Sequence, residues 1–128
     1  MKRMEPETVA APFGAYSQGL SGNFSRLAAT SGQLGIRADG TVPRSVTEQA
    51  EICFSAILEI LSEAGLGPEN VLRINAYVTH RKHMAEYMKV RDRTFAQVEP
   101  KPCSTLLVVS GFTRPEFLVE VEAIAGAP

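Results

Sequence analysis

Few side chains in this chain combine intrinsic reactivity with a position that could use it. There are two cysteines, Cys53 and Cys103, and two histidines, His80 and His83. A thiol attacks as the thiolate, so a nucleophilic cysteine needs a lowered pKa or an adjacent base. No histidine or other base stands near Cys103 in sequence, and it is expected as a small neutral wall residue. His80 and His83 fall in a strand-to-helix loop and are expected in solvent. No CxxC motif or His/Cys cluster occurs, so no structural zinc site and no metal is expected. The run Leu118-Val119-Glu120-Val121-Glu122 alternates apolar and acidic residues, which on a strand puts both carboxylates on one face. Arg73, Asn75 and Tyr77 alternate in the same way within a second run.

The elements that must carry these residues follow from periodicity. Residues 16–32 hold two short strand-like stretches with Gly22-Asn23 between them, the signal of a hairpin. The first dozen residues, with Pro6 and Pro12, read as an irregular lead-in, and residues 37–40 as a turn. Val46, Ala50, Cys53, Phe54, Ile57, Leu58, Leu61 and Ala64 make one stripe of a helix over residues 45–64. Ser45 and Glu48 offer a capping box and Gly65 a stop, and Cys53 on the stripe reads as a buried hydrophobe. Residues 70–79 alternate as a strand, with Leu72, Ile74, Ala76 and Val78 on one face and Val71, Arg73, Asn75 and Tyr77 on the other. A second helix over residues 83–98 turns Met84, Tyr87, Met88, Phe95 and Val98 inward, and strands over 104–110 and 117–124, joined by a turn through Gly111 and Pro115, close the chain. Two helices cover one face of such a sheet, so the half-polar face of Arg73, Asn75 and Tyr77 is expected at a subunit interface.

The whole chain of 128 residues reads as a single α+β domain with an ordinary mix of apolar (45%) and charged (21%) residues. Its net charge of −1 supplies no basic footprint for nucleic acid. The start, Met1-Lys2-Arg3-Met4-Glu5-Pro6, lacks the apolar core of a signal peptide, and no apolar run reaches membrane-spanning length. Two unpaired thiols fit a reducing compartment, and a cytoplasmic location is expected.

Four stretches, in order and spanning nearly the whole chain, resemble the Rid family (reactive intermediate deaminases, YjgF-type). Ala11-Pro12-Phe13-Gly14-Ala15-Tyr16-Ser17-Gln18-Gly19 is similar to the family's N-terminal APIGPYSQ motif. Thr30-Ser31-Gly32-Gln33 matches its SGQ strand end, Gln49 the glutamine of its first helix, and Leu118 to Ala125 its closing VEIEAIA strand. The resemblance implies a chorismate-mutase-like α+β fold: a mixed sheet of about six strands, two helices on one face, and a homotrimer with small-molecule sites between subunits. It implies hydrolysis of imines or enamines to a keto acid and ammonia, with no cofactor. Glu120 and Tyr16 take the catalytic positions. Ser31, Gly32, Met88, Cys103, Ser104 and Thr105 take the substrate-binding positions.

Two departures stand out against that pattern. Cys103, in Lys101-Pro102-Cys103-Ser104-Thr105, occupies the place of an arginine that grips the substrate carboxylate, and Met88 that of a pocket asparagine. A guanidinium offers a carboxylate two parallel donors, and losing one partner of a buried charge pair costs roughly 2–5 kcal/mol, about 30- to several-thousand-fold in binding. Arg91, one helical turn from Met88, could replace the cation, but beside Asp92 it is expected at the surface. Two readings follow: a Rid-type hydrolase of altered specificity, or a non-catalytic trimer binding small metabolites or protein clients.

Overall fold

In the computed structural model, which describes residues 1–128, the chain forms seven strands and two helices. Strand β1 (Lys2–Met4) pairs antiparallel with β2 (Gly19–Ser21) as a separate ribbon. Strands β3 (Arg26–Ala29) and β4 (Gln33–Leu34) lead to helix α1 (Val46–Ser62). Strand β5 (Val71–Val78), helix α2 (Met84–Thr94), β6 (Cys103–Val108) and β7 (Val119–Ala127) follow. The main sheet has five strands in the order β3-β7-β5-β6, with β4 also pairing β7; β5 and β6 run parallel and the other pairs antiparallel. This is a mixed sheet with both helices packed on one face, the α+β architecture expected. No helix is long and apolar enough to cross a membrane.

Several local expectations change. The lead-in is not wholly irregular: residues 2–4 are a strand, exposed throughout, so no burial pattern in the sequence marks them. The two stretches flanking Gly22-Asn23 do not form a hairpin, because β2 goes to β1 while β3 pairs with β7. The sheet accordingly has five strands rather than six. The last two strands are not neighbours either; β5 lies between them. Helix α2 ends at Thr94, where Thr94 Oγ1 donates to the Val90 carbonyl at 2.7 Å. Phe95 and Val98 still reach the core, from turns beyond the helix end.

The core is the expected stripe of α1 packed on β5 and β7: Val46, Ala50, Cys53, Phe54, Ile57 and Leu61 meet Ile74, Ala76, Val78, Val119, Val121 and Ala123. Val71 joins this core instead of the opposite face, because a bulge between Val71 and Arg73 breaks the alternation. Ser45 caps α1 by accepting the Glu48 N–H at 3.1 Å. The return half of a capping box is replaced by an ion pair, Glu48 to Arg37 at 3.2 Å. At the far end Gly65 takes a φ of +71° that a side chain would resist, and the Leu66 N–H returns to the Leu61 carbonyl.

Gln49 is fully buried on α1 and uses its whole amide. Its Nε2 donates to the carbonyls of Pro43 at 2.8 Å and Glu116 at 2.9 Å, and its Oε1 accepts the Leu118 N–H at 2.9 Å. A Cβ at Gly35 would sit 2.4 Å from that of Gln49, so only glycine lets the chain after β4 pass this close. Gln49→Leu keeps the volume but strands three backbone groups, each worth about 1–3 kcal/mol when buried and unpaired. The expected loss is about 3 kcal/mol, read as a lowered urea midpoint; an unchanged midpoint would contradict the role given to this amide.

Candidate functional site

Two groups of chemistry-bearing residues stand on opposite faces of the sheet. On the helix side, a cavity of about 310 Å³ opens between the Phe13–Tyr16 segment, α2 and β6. Its walls include Tyr16, Met84, Met88, Arg91, Ser104 and Leu106. Met84, Met88 and Arg91 follow one another at helical spacing, so one stripe of α2 faces the cavity. Tyr16 arrives because the next residue is pinned: the Ser17 N–H donates to the Pro102 carbonyl at 3.1 Å, and the buried Ser17 hydroxyl donates to the Lys101 carbonyl. The same segment enters β6 and sets Ser104.

Arg91 is not at the surface as expected. Its side chain is only 7% exposed, against 45% for Asp92. Its Nε donates to Asp92 Oδ1 at 3.0 Å, and its Nη1 donates to Ser104 Oγ at 3.2 Å. The burial was invisible in sequence because Ser104 lies thirteen residues along the chain, on a strand that α2 overlies.

On the open face, Tyr77 stands opposite Glu120 and Asn75 opposite Glu122. The Tyr77 hydroxyl donates to Glu122 Oε1 at 2.5 Å, which pushes the phenol pKa up, and Asn75 Nδ2 reaches the same oxygen at 3.4 Å. Glu120 makes no such bond. Its carboxyl pKa is raised, chiefly because the group is partly stripped of water and secondly by the neighbouring Glu122 charge. Gly32 is packed directly against it; a Cβ there would fall 2.4 Å from Glu120 Oε1. Arg73 lies beside Cys103 in register and donates from Nη2 to Thr105 Oγ1 at 3.0 Å.

The sequence-derived site residues therefore divide. Tyr16, Met88 and Ser104 meet in the cavity, joined by Arg91. Gly32 and Glu120 meet on the open face, with Ser31 exposed next to Gly32. Cys103 and Thr105, in register with Arg73 and Asn75, do not line the cavity. Cys53 is fully buried, and burial pushes its thiol up to about 12, as an inert core position requires. His80 is exposed and caps a short turn by accepting the Lys82 N–H at 3.0 Å; His83 is half-buried, and desolvation lowers its pKa. Ser17 and Arg91 are the contributors that sequence reasoning passed over or misplaced. The signal for Ser17 was its place directly after Tyr16.

A family model described as Endoribonuclease L-PSP matches residues 7–127. The chain belongs to this family, the Rid or YjgF-type proteins. It is 31% identical over 122 residues to a RutC family protein of Pyrococcus abyssi, covering 93% of this chain and 91% of that one. An uncharacterized protein of Streptomyces coelicolor is 37% identical over 82 residues, and there the match spans 60% of the relative's length and 62% of this chain. Among solved structures, a Rid-family protein of unknown function from Yersinia pestis superposes with a TM-score of 0.87 at 23% identity, covering 98% of both chains, so the fold is shared.

Glu120's raised pKa has a consequence for stability. A carboxyl whose folded pKa lies above its unfolded value favours the folded state while protonated, and that contribution is lost as pH rises through the folded pKa. Glu120→Gln is therefore expected to raise the Tm at pH 7, with the gain closing as pH falls below the ordinary glutamate range. Thermal unfolding of both proteins across that range checks it; a gain that persists in acid would place the effect elsewhere.

Proposed function

We propose that this Rid-family chain is a cofactor-independent hydrolase of small imines or enamines, working as a homotrimer whose sites form between subunits. The observation that carries the reading is Glu120: a carboxyl on a half-polar sheet face, packed on Gly32, bonded to no partner and held above its usual pKa. A carboxyl whose charged form is disfavoured in this way holds a proton more readily than an ordinary glutamate and can serve as acid or base. Glu120 takes a proton from water as the oxygen adds to the C=N carbon and passes it to the nitrogen, giving a carbinolamine. Glu120 then takes the hydroxyl proton and delivers it to the nitrogen as the C–N bond breaks, so that ammonia and a carbonyl compound leave and the carboxylate is restored. Tyr16 would orient the substrate from the cavity, with Met88, Ser104 and the Cys103–Thr105 strand around it and Ser31 and Gly32 at the mouth.

Because Glu120 is not among the residues lining the cavity of its own chain, the two halves are best joined across a subunit boundary. The open face supports that assembly: beside its charged network it exposes Leu107 and Ile124 at 50% and 39%. Light scattering is expected to give the mass of a trimer; a stable monomer at micromolar concentration would contradict the assembly.

With Cys103 in place of an arginine, and with Met84, Met88 and Leu106 in the walls, the cavity suits an apolar substrate better than the smallest imino acids. Imines generated by an amino-acid oxidase and trapped chemically provide the assay. Turnover is expected to be faster for imines from leucine or methionine than from alanine, and Glu120→Gln is expected to lower it by about 100-fold. If no imine is lost faster than in buffer, the hydrolase reading falls. The second reading, a trimeric binder of small metabolites or clients, would then take its place, favoured by the position of Glu120 outside the cavity.

A further inference from the structure

Cys103 stands where the resemblance places a carboxylate-gripping arginine, and the chain buries a different cation, Arg91, against the adjoining Ser104. We infer that Arg91 is the anchor for the carboxylate of this protein's ligand, and that the ligand is a small carboxylic acid with an apolar body.

The argument begins with a cost. A guanidinium taken out of water must recover its hydrogen bonds and a counter-charge. Arg91 recovers only part of them. Nε and Nη2 both lean on a single oxygen, Asp92 Oδ1, at 3.0 Å, and Asp92 itself is 45% exposed and well hydrated. Nη1 gives one bond, to a neutral hydroxyl, Ser104 Oγ at 3.2 Å. Guanidinium has five N–H donors, so Nη1 and Nη2 each retain one with no protein acceptor. These two adjacent nitrogens are the pair that a carboxylate bridges with two parallel bonds.

The surroundings favour an incoming acid over a purely structural strut. Arg91 lies in the wall of the 310 Å³ cavity. Phe13, whose ring could have filled the space, is 97% exposed. Gly14 keeps the approach to the guanidinium open: a Cβ there would sit 3.3 Å from the Tyr16 ring and 3.7 Å from Arg91 Nη2. The remaining walls, Met84, Met88 and Leu106, are apolar and adaptable, and offer an aliphatic body contact without competing for the charge. A pocket with an apolar body and one charged end selects a ligand of the same build.

This inference rests on the hydrolase reading for its substrate class, yet it can be tested without any turnover. Isocaproate and its neutral amide, isocaproamide, share the same branched body and differ in charge. Calorimetry with the intact oligomer is expected to show isocaproate bound at least about 30-fold more tightly than the amide. Arg91→Met, close in volume and apolar, is expected to abolish that difference, and Arg91→Lys to reduce it. Asp92→Asn, at a partly exposed position, removes the competing negative charge and is expected to tighten isocaproate several-fold while leaving the amide unchanged. A merely structural arginine would not produce that last result. Equal affinity for acid and amide in the unmodified protein, absence of isocaproate binding at millimolar concentration, or a difference that survives in Arg91→Met would each overturn the inference. Should Arg91→Met fail to fold, the acid-to-amide ratio and its response to Asp92→Asn decide the matter. Selective acid binding without imine turnover would retain the anchor and remove the hydrolase; imine turnover with no preference for the acid would do the reverse.

Discussion

The amide of Gln49 holds together the parts of this fold that no other element joins. Two of its bonds reach chain that has neither helix nor strand to satisfy it: the Pro43 carbonyl before α1 and the Glu116 carbonyl before β7. The third accepts the Leu118 N–H one residue before β7 begins. β7 is the strand that pairs with β3, β4 and β5 and carries Glu120 and Glu122. The start of α1 and the entry to β7 are therefore set by one buried side chain. Buried polar groups in low dielectric are costly unless satisfied, which is why a satisfied one fixes geometry so firmly.

The cavity is built by a different device. Ser17 ties the Phe13–Tyr16 segment to the carbonyl-rich approach of β6, and Arg91 ties α2 to Ser104 at the start of β6. Three segments distant in sequence thus converge on the first residues of one parallel strand. On the other face, the pairing of β5 with β7 delivers Tyr77 to Glu122 and leaves Glu120 without a partner. The two carboxyls thus differ in kind: Glu122 accepts two bonds on Oε1, from Tyr77 and Asn75, and Glu120 accepts none.

Much of this was legible in the sequence, for physical reasons. The stripe of α1 and the alternation of residues 73–78 each follow a single period, and each packs as that period demands. Alternation put Glu120 and Glu122 together on one face and left open which; the pairing of β5 with β7 sets them on the open face with Asn75 and Tyr77. What escaped was set by partners rather than by pattern. The bulge that sends Val71 inward is a property of the β5–β7 pair. The strand at residues 2–4 buries nothing and so leaves no periodic mark. Arg91 next to Asp92 reads as a surface pair until β6 is known to run beneath it. The family motifs located Tyr16, Gly32 and Glu120, but their division between two faces is a matter of topology that no linear motif carries.

A cavity from one subunit and Glu120 from its neighbour are proposed to make one site. Mixed trimers test it directly. Arg91→Met and Glu120→Gln, each expected to be strongly impaired in imine hydrolysis alone, would be unfolded together and reassembled in equal amounts. Random mixing leaves about a quarter of the boundaries with both unmodified halves, and activity is expected near that fraction of the unmodified protein. If both groups served the same site within one chain, no mixture would contain an intact site, and the absence of recovery in trimers shown to be mixed would contradict the claim.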